Sequence, residues 1–180
     1  MSSESIKILL TGLPGCGKTT AVMKIIANLD PKKAAGFYTQ EIREGSVRKG
    51  FRWMSLDGTE GILAHVDTKG TPRVGKYGVD VEGFEKSVAG ILDIEQTGAE
   101  LFVIDEIGKM ECFSEKFVTA VRRLFASDRS VLATVAQKGA GLISEVKNHP
   151  AAKLFILTRQ NRDEIIAKVS QILSYLNRPL

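Results

Sequence analysis

The chain has 180 residues, 43% of them hydrophobic, which is enough apolar material for one domain over residues 1–180 and little more. Its 25 Lys and Arg against 21 Asp and Glu leave a formal charge of +4 with the signs interspersed. No basic arm results, so nonspecific coating of nucleic acid is a weaker option than a small acidic ligand.

The N-terminus carries no positively charged leader, and the apolar stretch 6–10, interrupted by Lys7, is too short to cross a membrane. A cytoplasmic protein is expected, with that stretch as a buried strand. Residues 18–29 then place Ala21, Val22, Ile25, Ile26 and Leu29 on one helical face. Segments 36–39, 47–55 and 61–65, separated by Glu44-Gly45 and Asp57-Gly58, predict antiparallel hairpins. A helix is expected over 81–94 from the spacing of Val81, Phe84, Val88, Ile91 and Leu92. Leu101, Phe102, Val103 and Ile104 form an apolar run that ends in Asp105 and Glu106, the best central strand in the chain. The alternation continues with a helix over 113–125, a strand at 130–135, a short helix at 142–147 and a strand at 153–157. In the last helix, Asn161 and Glu164 have the spacing of a capping box, and Ile165, Val169, Ile172, Leu173 and Leu176 form a core-facing stripe. Cys16 and Cys112 stand far apart with no histidine at ligand spacing, which points away from a disulfide framework or a zinc site. His65 and His149 are isolated and read as solvated loop histidines.

Gly12, Leu13, Pro14, Gly15, Cys16, Gly17, Lys18 and Thr19 fit G-x-x-x-x-G-K-S/T between a strand and a helix, the context the pattern needs. Glycines there let successive backbone N–H groups converge on a phosphate, and the helix N-terminus adds partial positive charge. Lys18 is expected on the β- and γ-phosphates and the Thr19 hydroxyl on Mg2+, with Thr20 closing the nucleotide-binding stretch. Cys16 reads as a small filler, a redox-sensitive thiol being the alternative. The glycine order and Lys18 do not suit a dinucleotide-binding fingerprint.

The run ending in Asp105 has the form of a Walker B strand, and Asp105 is expected to hold Mg2+ through a water. Glu106, one position on, can reach a water attacking the γ-phosphate, so hydrolysis is expected; the plainer alternative for Glu106 is an ion pair with a neighbouring Lys or Arg. Lys109 follows Gly108, which would permit a tight turn, and offers a cation for charge developing on the γ-phosphoryl oxygens, or a surface pair with Glu111. Arg43 and Arg162 are candidates for an arginine supplied in cis, and Arg162 with Asn161 serves equally well against the base or ribose. Phe37, Tyr38 and Trp53 either stack a base or pack a core.

Five stretches together carry a resemblance: residues 12–20, Gly36-Phe37-Tyr38-Thr39-Gln40-Glu41-Ile42-Arg43, Tyr77-Gly78-Val79-Asp80-Val81 with Phe84-Glu85, Ile104-Asp105-Glu106-Ile107-Gly108-Lys109-Met110-Glu111, and Asn161-Arg162-Asp163. The chain resembles the thermostable P-loop nucleoside-triphosphatase family, also called the cancer-related nucleoside-triphosphatase type, over nearly its whole length. The resemblance implies an α/β, RecA-like three-layer sandwich with a mainly parallel central sheet and an added antiparallel β-rich segment. It also implies Mg-dependent hydrolysis of ATP, GTP, CTP, UTP and TTP to the diphosphate with little base selectivity. Glu106 would be the base, and nucleotide contacts would fall on residues 12–19 and on Phe102, Val103, Ile104, Asp105, Glu106, Ile107, Gly108 and Lys109. One departure is that Val135-Ala136-Gln137-Lys138-Gly139 stands where the family often has Ile-Pro.

The expected protein is thus a monomeric nucleoside-triphosphatase with catalytic residues Glu106, Lys18 and Lys109. Two alternatives remain. One is a small nucleotide or nucleoside kinase, for which Gly70-Thr71-Pro72-Arg73 offers only one arginine in a lid-like loop. The other is a nucleotide-dependent switch acting on RNA or a protein partner.

Overall fold

The computed structural model describes residues 5–70 and 72–177. In chain order its elements are β1 (Lys7–Thr11), α1 (Lys18–Ile26), β2 (Ala34–Glu44), β3 (Val47–Ser55), β4 (Glu60–His65), β5 (Arg73–Val74), β6 (Tyr77–Val79), α2 (Val81–Ile91) and α3 (Ile94–Thr97). There follow β7 (Leu101–Ile107), α4 (Glu115–Ala126), β8 (Ser130–Val135), α5 (Leu142–Lys147), β9 (Ala152–Ile156) and α6 (Arg162–Leu173), with 3-10 turns at Pro31–Lys33, Glu111–Phe113 and Ser174–Asn177.

The strands of the described residues form one nine-stranded sheet in the order β5-β6-β4-β3-β2-β7-β8-β1-β9. From β2 to β9 neighbouring strands are parallel, and from β2 to β5 they are antiparallel, so β2 is the hinge between two kinds of sheet. The parallel strands alternate apolar residues to both faces. Leu9, Phe102, Ile104, Val131 and Ala133 meet α2, α4 and α5 through Phe84, Val88, Phe117, Val121, Leu142 and Ile143. Ile8, Leu10, Leu101, Val103 and Leu132 meet α1 and α6 through Val22, Ile25, Ile165, Val169 and Leu173. Helices on both faces satisfy strands that have no polar side, which gives the three layers. The α/β architecture with a mainly parallel centre and an antiparallel addition is as expected.

Several details differ from the sequence reading. Lys7 does not interrupt the first strand but is only 1% exposed. Its Nζ donates to the carbonyls of Leu124 (2.9 Å), Ser127 (3.1 Å) and Arg129, so one cation satisfies the end of α4. Burial pulls its pKa down to about 8. The helix expected over 81–94 is two, because the Asp93 carboxylate accepts from the N–H groups of Glu95 and Gln96 and starts α3 afresh. Arg73 lies in the β5–β6 hairpin, donating to the carbonyls of Thr68 and Lys76, so it is held in a hairpin and not free in a lid; Thr71 lies outside the described residues. Asn161 makes no side-chain cap at α6. His65 ends β4 and is half-buried, its Nδ1 accepting from Asp67 N–H, while His149 packs edge-on against Phe125 at 5.4 Å. Neither is the solvated loop histidine that isolation in sequence suggested.

Candidate active site

The carboxyl ends of β1, β7 and β8 open on one cavity of about 730 Å3, lined on one side by Gly12, Pro14, Gly15, Gly17, Lys18, Thr19 and Thr20. The loop between β1 and α1 turns through Gly17, whose φ of +96° is one that L side chains rarely adopt. A Cβ there would also lie 2.8 Å from an Arg162 guanidinium nitrogen, so Arg162 packs on the loop from behind. Arg162 does not line the cavity; its contact is with the phosphate-binding loop itself. Lys18 Nζ reaches back to the Gly12 carbonyl at 3.1 Å, which holds its ammonium over the loop.

Asp105 and Glu106 stand at the far end of β7, beside a register shift between Ile104 and Ile107 in the pairing with β8. The pairing is interrupted there and resumes at Ile107 with Val135, and both carboxylates line the cavity that the loop borders. Asp105 is buried and accepts from the Thr19 hydroxyl at 2.6 Å and the Thr134 hydroxyl at 2.5 Å. Desolvation nevertheless raises its pKa, against the lowering effect of both hydroxyls and Lys18. Glu106 Oε2 lies 4.0 Å from Lys18 Nζ, and burial raises its pKa more than the lysine lowers it. The arrangement can hold a polyanion between loop amides and Lys18, with a carboxylate of raised basicity facing the same space.

The other expected residues separate into groups. Phe102, Val103, Ile104 and Ile107 are wholly buried in the core and do not line the cavity, so within that stretch only Asp105, Glu106, Gly108 and Lys109 reach it. Lys109 is exposed at the rim, and it is not paired with Glu111, which is only 5% exposed. Gly108 has no positive φ, and the room it leaves is taken by two carboxylates. A Cβ there would stand 2.9 Å from Glu111 Oε2 and 3.0 Å from Glu106 Oε1. Arg43 binds Glu41 at 2.7 Å and the Ser46 carbonyl at 2.9 Å on the outer part of β2, away from the cavity lining. Phe37 and Trp53 belong to the core, as the plainer reading of those aromatics had it. Cys16 is buried with the core beside α1, and Leu13 and Cys16 border a second, smaller cavity.

Three contributors were not anticipated. Thr134 is the one hydroxyl-bearing side chain in the interior of an otherwise apolar strand, and that interruption was its visible signal. Glu111 forms part of the cavity wall, where burial pushes its carboxyl up to about 8. Arg48 on β3 donates to Tyr77 Oη at 3.0 Å and to Glu41 Oε1 at 2.7 Å and lies over the Phe51 ring at 5.0 Å, closing the cavity on the antiparallel side. The Arg48 bond is the main reason Glu41 titrates below the ordinary carboxylate range.

Among the described residues no helix is long and apolar enough to cross a membrane. A family model described as NTPase matches residues 7–170. Nucleoside-triphosphatase THEP1 of Thermotoga maritima is 40% identical over 172 residues, covering 94% of this chain and 97% of the relative. The human cancer-related nucleoside-triphosphatase is 36% identical over 177 residues, covering 90% and 93%. The crystal structure of THEP1 from Aquifex aeolicus superposes with a TM-score of 0.85 at 39% identity, covering 96% of this chain and 100% of that one. A solution structure of the human cancer-related nucleoside triphosphatase gives 0.79 at 35% identity, covering 95% and 98%. With a P-loop, an acidic pair across from it and relatives matched end to end, the chain belongs to this nucleoside-triphosphatase family.

Proposed function

We propose that this chain hydrolyses nucleoside 5'-triphosphates to the diphosphate and phosphate, with Mg2+ and little selectivity among bases, acting as a single-domain monomer. The observation that carries the reading is the placement of Glu106 4.0 Å from Lys18 across a cavity floored by the phosphate loop. Glu106 would orient the attacking water in line with the γ-phosphorus and take its proton. Lys18 and the loop N–H groups would neutralise the phosphates, and Lys109 at the rim would offset charge on the outer γ-oxygens.

The donor set suits Mg2+. Thr19 Oγ1 and Asp105 supply hard oxygens 2.6 Å apart, and among the described residues no group of three acidic, histidine or cysteine side chains could hold a metal unaided. An ion held by one hydroxyl, one carboxylate, waters and phosphate oxygens is the usual arrangement for Mg2+. Thr19 and Asp105 would hold the ion, which when bound would supply positive charge beside the phosphates.

The test is incubation with γ-labelled triphosphates and no acceptor. Inorganic phosphate should appear from purine and pyrimidine nucleotides alike, stop on addition of EDTA and return with Mg2+. Label passing to an added nucleoside or monophosphate instead would make the protein a kinase.

A further inference from the structure

In the sheet order β7-β8-β1, the strand β8 lies between the one that ends in Asp105 and Glu106 and the one that enters the phosphate loop. The segment that follows it, Ala136, Gln137 and Lys138, therefore leaves the sheet between the two parts of the catalytic cavity and lines it. Its backbone is pinned. The Ala136 N–H donates to the Ile107 carbonyl at 3.1 Å, and Lys147 Nζ on α5 donates to the Gln137 carbonyl at 2.8 Å. A Cβ on Gly139 would come 2.5 Å from Ile143 Cδ1, so the segment lies tight against α5.

On that fixed backbone the Lys138 side chain is exposed and makes no hydrogen bond or ion pair with any described residue. The other cations that line the cavity are differently committed. Lys18 faces Glu106 at 4.0 Å, and Arg48 is bonded to Tyr77 and Glu41. Lys109 follows β7, one strand further from the phosphate loop. Arg43 and Arg162, the two arginines with the sequence credentials for a role in cis, do not line the cavity at all. Phosphoryl transfer gains from a cation aimed where charge develops, and an ammonium with no carboxylate partner brings its whole charge to that place.

We propose that Lys138 is a catalytic residue of the triphosphatase, a cation supplied in cis whose ammonium contacts the β–γ bridging oxygen as its bond to the γ-phosphorus breaks. The assignment rests on the triphosphatase reading and deepens it. In the step, a water oxygen bonds to the γ-phosphorus, Glu106 takes the water proton, and the electron pair of the broken bond leaves with the bridging oxygen on the diphosphate. Lys138 meets the charge that collects on that oxygen. Because the charge is small in the bound triphosphate and grows only as the bond breaks, the contact favours the transition state over the ground state.

The test uses Lys138→Ala and Lys138→Arg, at an exposed position where folding is not at stake. Phosphate release gives kcat and KM, and calorimetry gives dissociation constants for the β,γ-imido analogue of ATP and for ADP with aluminium fluoride, a mimic of the phosphoryl group in transit. Lys138→Ala should lower kcat about 10- to 100-fold and weaken ADP with aluminium fluoride by a similar factor, while KM and the imido analogue shift by less than about threefold. Lys138→Arg should restore most of both losses, since the charge is kept. A kcat within about twofold of the unaltered protein, an imido analogue weakened as much as the aluminium fluoride complex, or an arginine variant no better than the alanine one would each overturn the assignment. Absence of phosphate release from the unaltered protein would instead refute the triphosphatase reading, and this role with it.

Discussion

The two halves of the sheet are built by opposite rules. The parallel strands β1, β7 and β8 are buried toward both faces and sealed by helices, whereas β2 beyond Gln40, β3 and β4 mix exposed and half-buried positions with a few buried ones. The phosphate loop, Asp105, Glu106 and Thr134 all sit at the carboxyl ends of the parallel half, where buried backbone and close packing hold charges that water would otherwise screen. The antiparallel half adds a wall of longer, half-exposed groups, with Arg48 bound to Tyr77 and Glu41. The difference predicts that each carboxylate in the parallel half is sensitive to single substitutions, while the antiparallel wall, whose interactions are distributed, tolerates them.

The sharpest break in that contrast comes from the parallel half. Glu106→Gln should lower phosphate release by about 100-fold to 10,000-fold while leaving nucleotide affinity nearly intact, and near-normal turnover would remove it from its assigned role. Lys18→Ala should lose affinity and turnover together; a variant that still hydrolyses would put the phosphate site elsewhere.

Thr134→Val probes the buried hydroxyl on Asp105. Leaving that carboxylate one hydrogen bond short should cost about 1–3 kcal/mol of stability and raise the Mg2+ concentration needed for half-maximal rate, both readable by thermal melts and Mg2+ titration. An unchanged melting temperature would mean that water replaces the hydroxyl without loss.

Glu111 gives a pH test. Its carboxyl titrates near 8 in the fold, against 4.5 ordinarily, so between those values the folded state keeps a proton that the unfolded chain has released. Stability from this group is therefore present in full below about pH 4.5 and declines as pH rises toward 8. Glu111→Gln, which mimics the protonated acid, should flatten that part of the profile and gain most near pH 8. An unchanged slope would show that Glu111 is ionised in the fold.

The smallest effect is expected from the antiparallel wall. Arg48→Ala removes a half-exposed network on β3 and should cost no more than about 1 kcal/mol, with phosphate release reduced only a few-fold. A loss as large as that of Glu106→Gln would move the centre of the chemistry across the sheet and end the comparison.

Much of this was legible in advance where the signal was local. The phosphate loop announces itself because backbone N–H groups can converge only where glycines permit, and β7 because four apolar residues run straight into two carboxylates. The β2–β3 hairpin was marked by Glu44-Gly45, which turns the chain between Glu44 and Val47 as paired. Less visible were features whose partners lie far along the chain. Lys7 looked like an interruption because the three carbonyls that accept from it belong to the end of α4 and the turn after it. Asn161 and Glu164 had cap spacing, but the backbone groups of Ile156 and Thr158 were nearer.

By itself, then, the sequence determined the chemistry available, a glycine-lined loop with one lysine and an acidic pair, since those depend on residue types a few positions apart. Tertiary structure alone decided which groups face one another: Thr134 across from Asp105, Glu111 beside Glu106, and Arg48 against Tyr77. The physical reason is that burial and long-range approach set whether a charge is screened, shifted or paired, and neither can be read from spacing along one strand or helix.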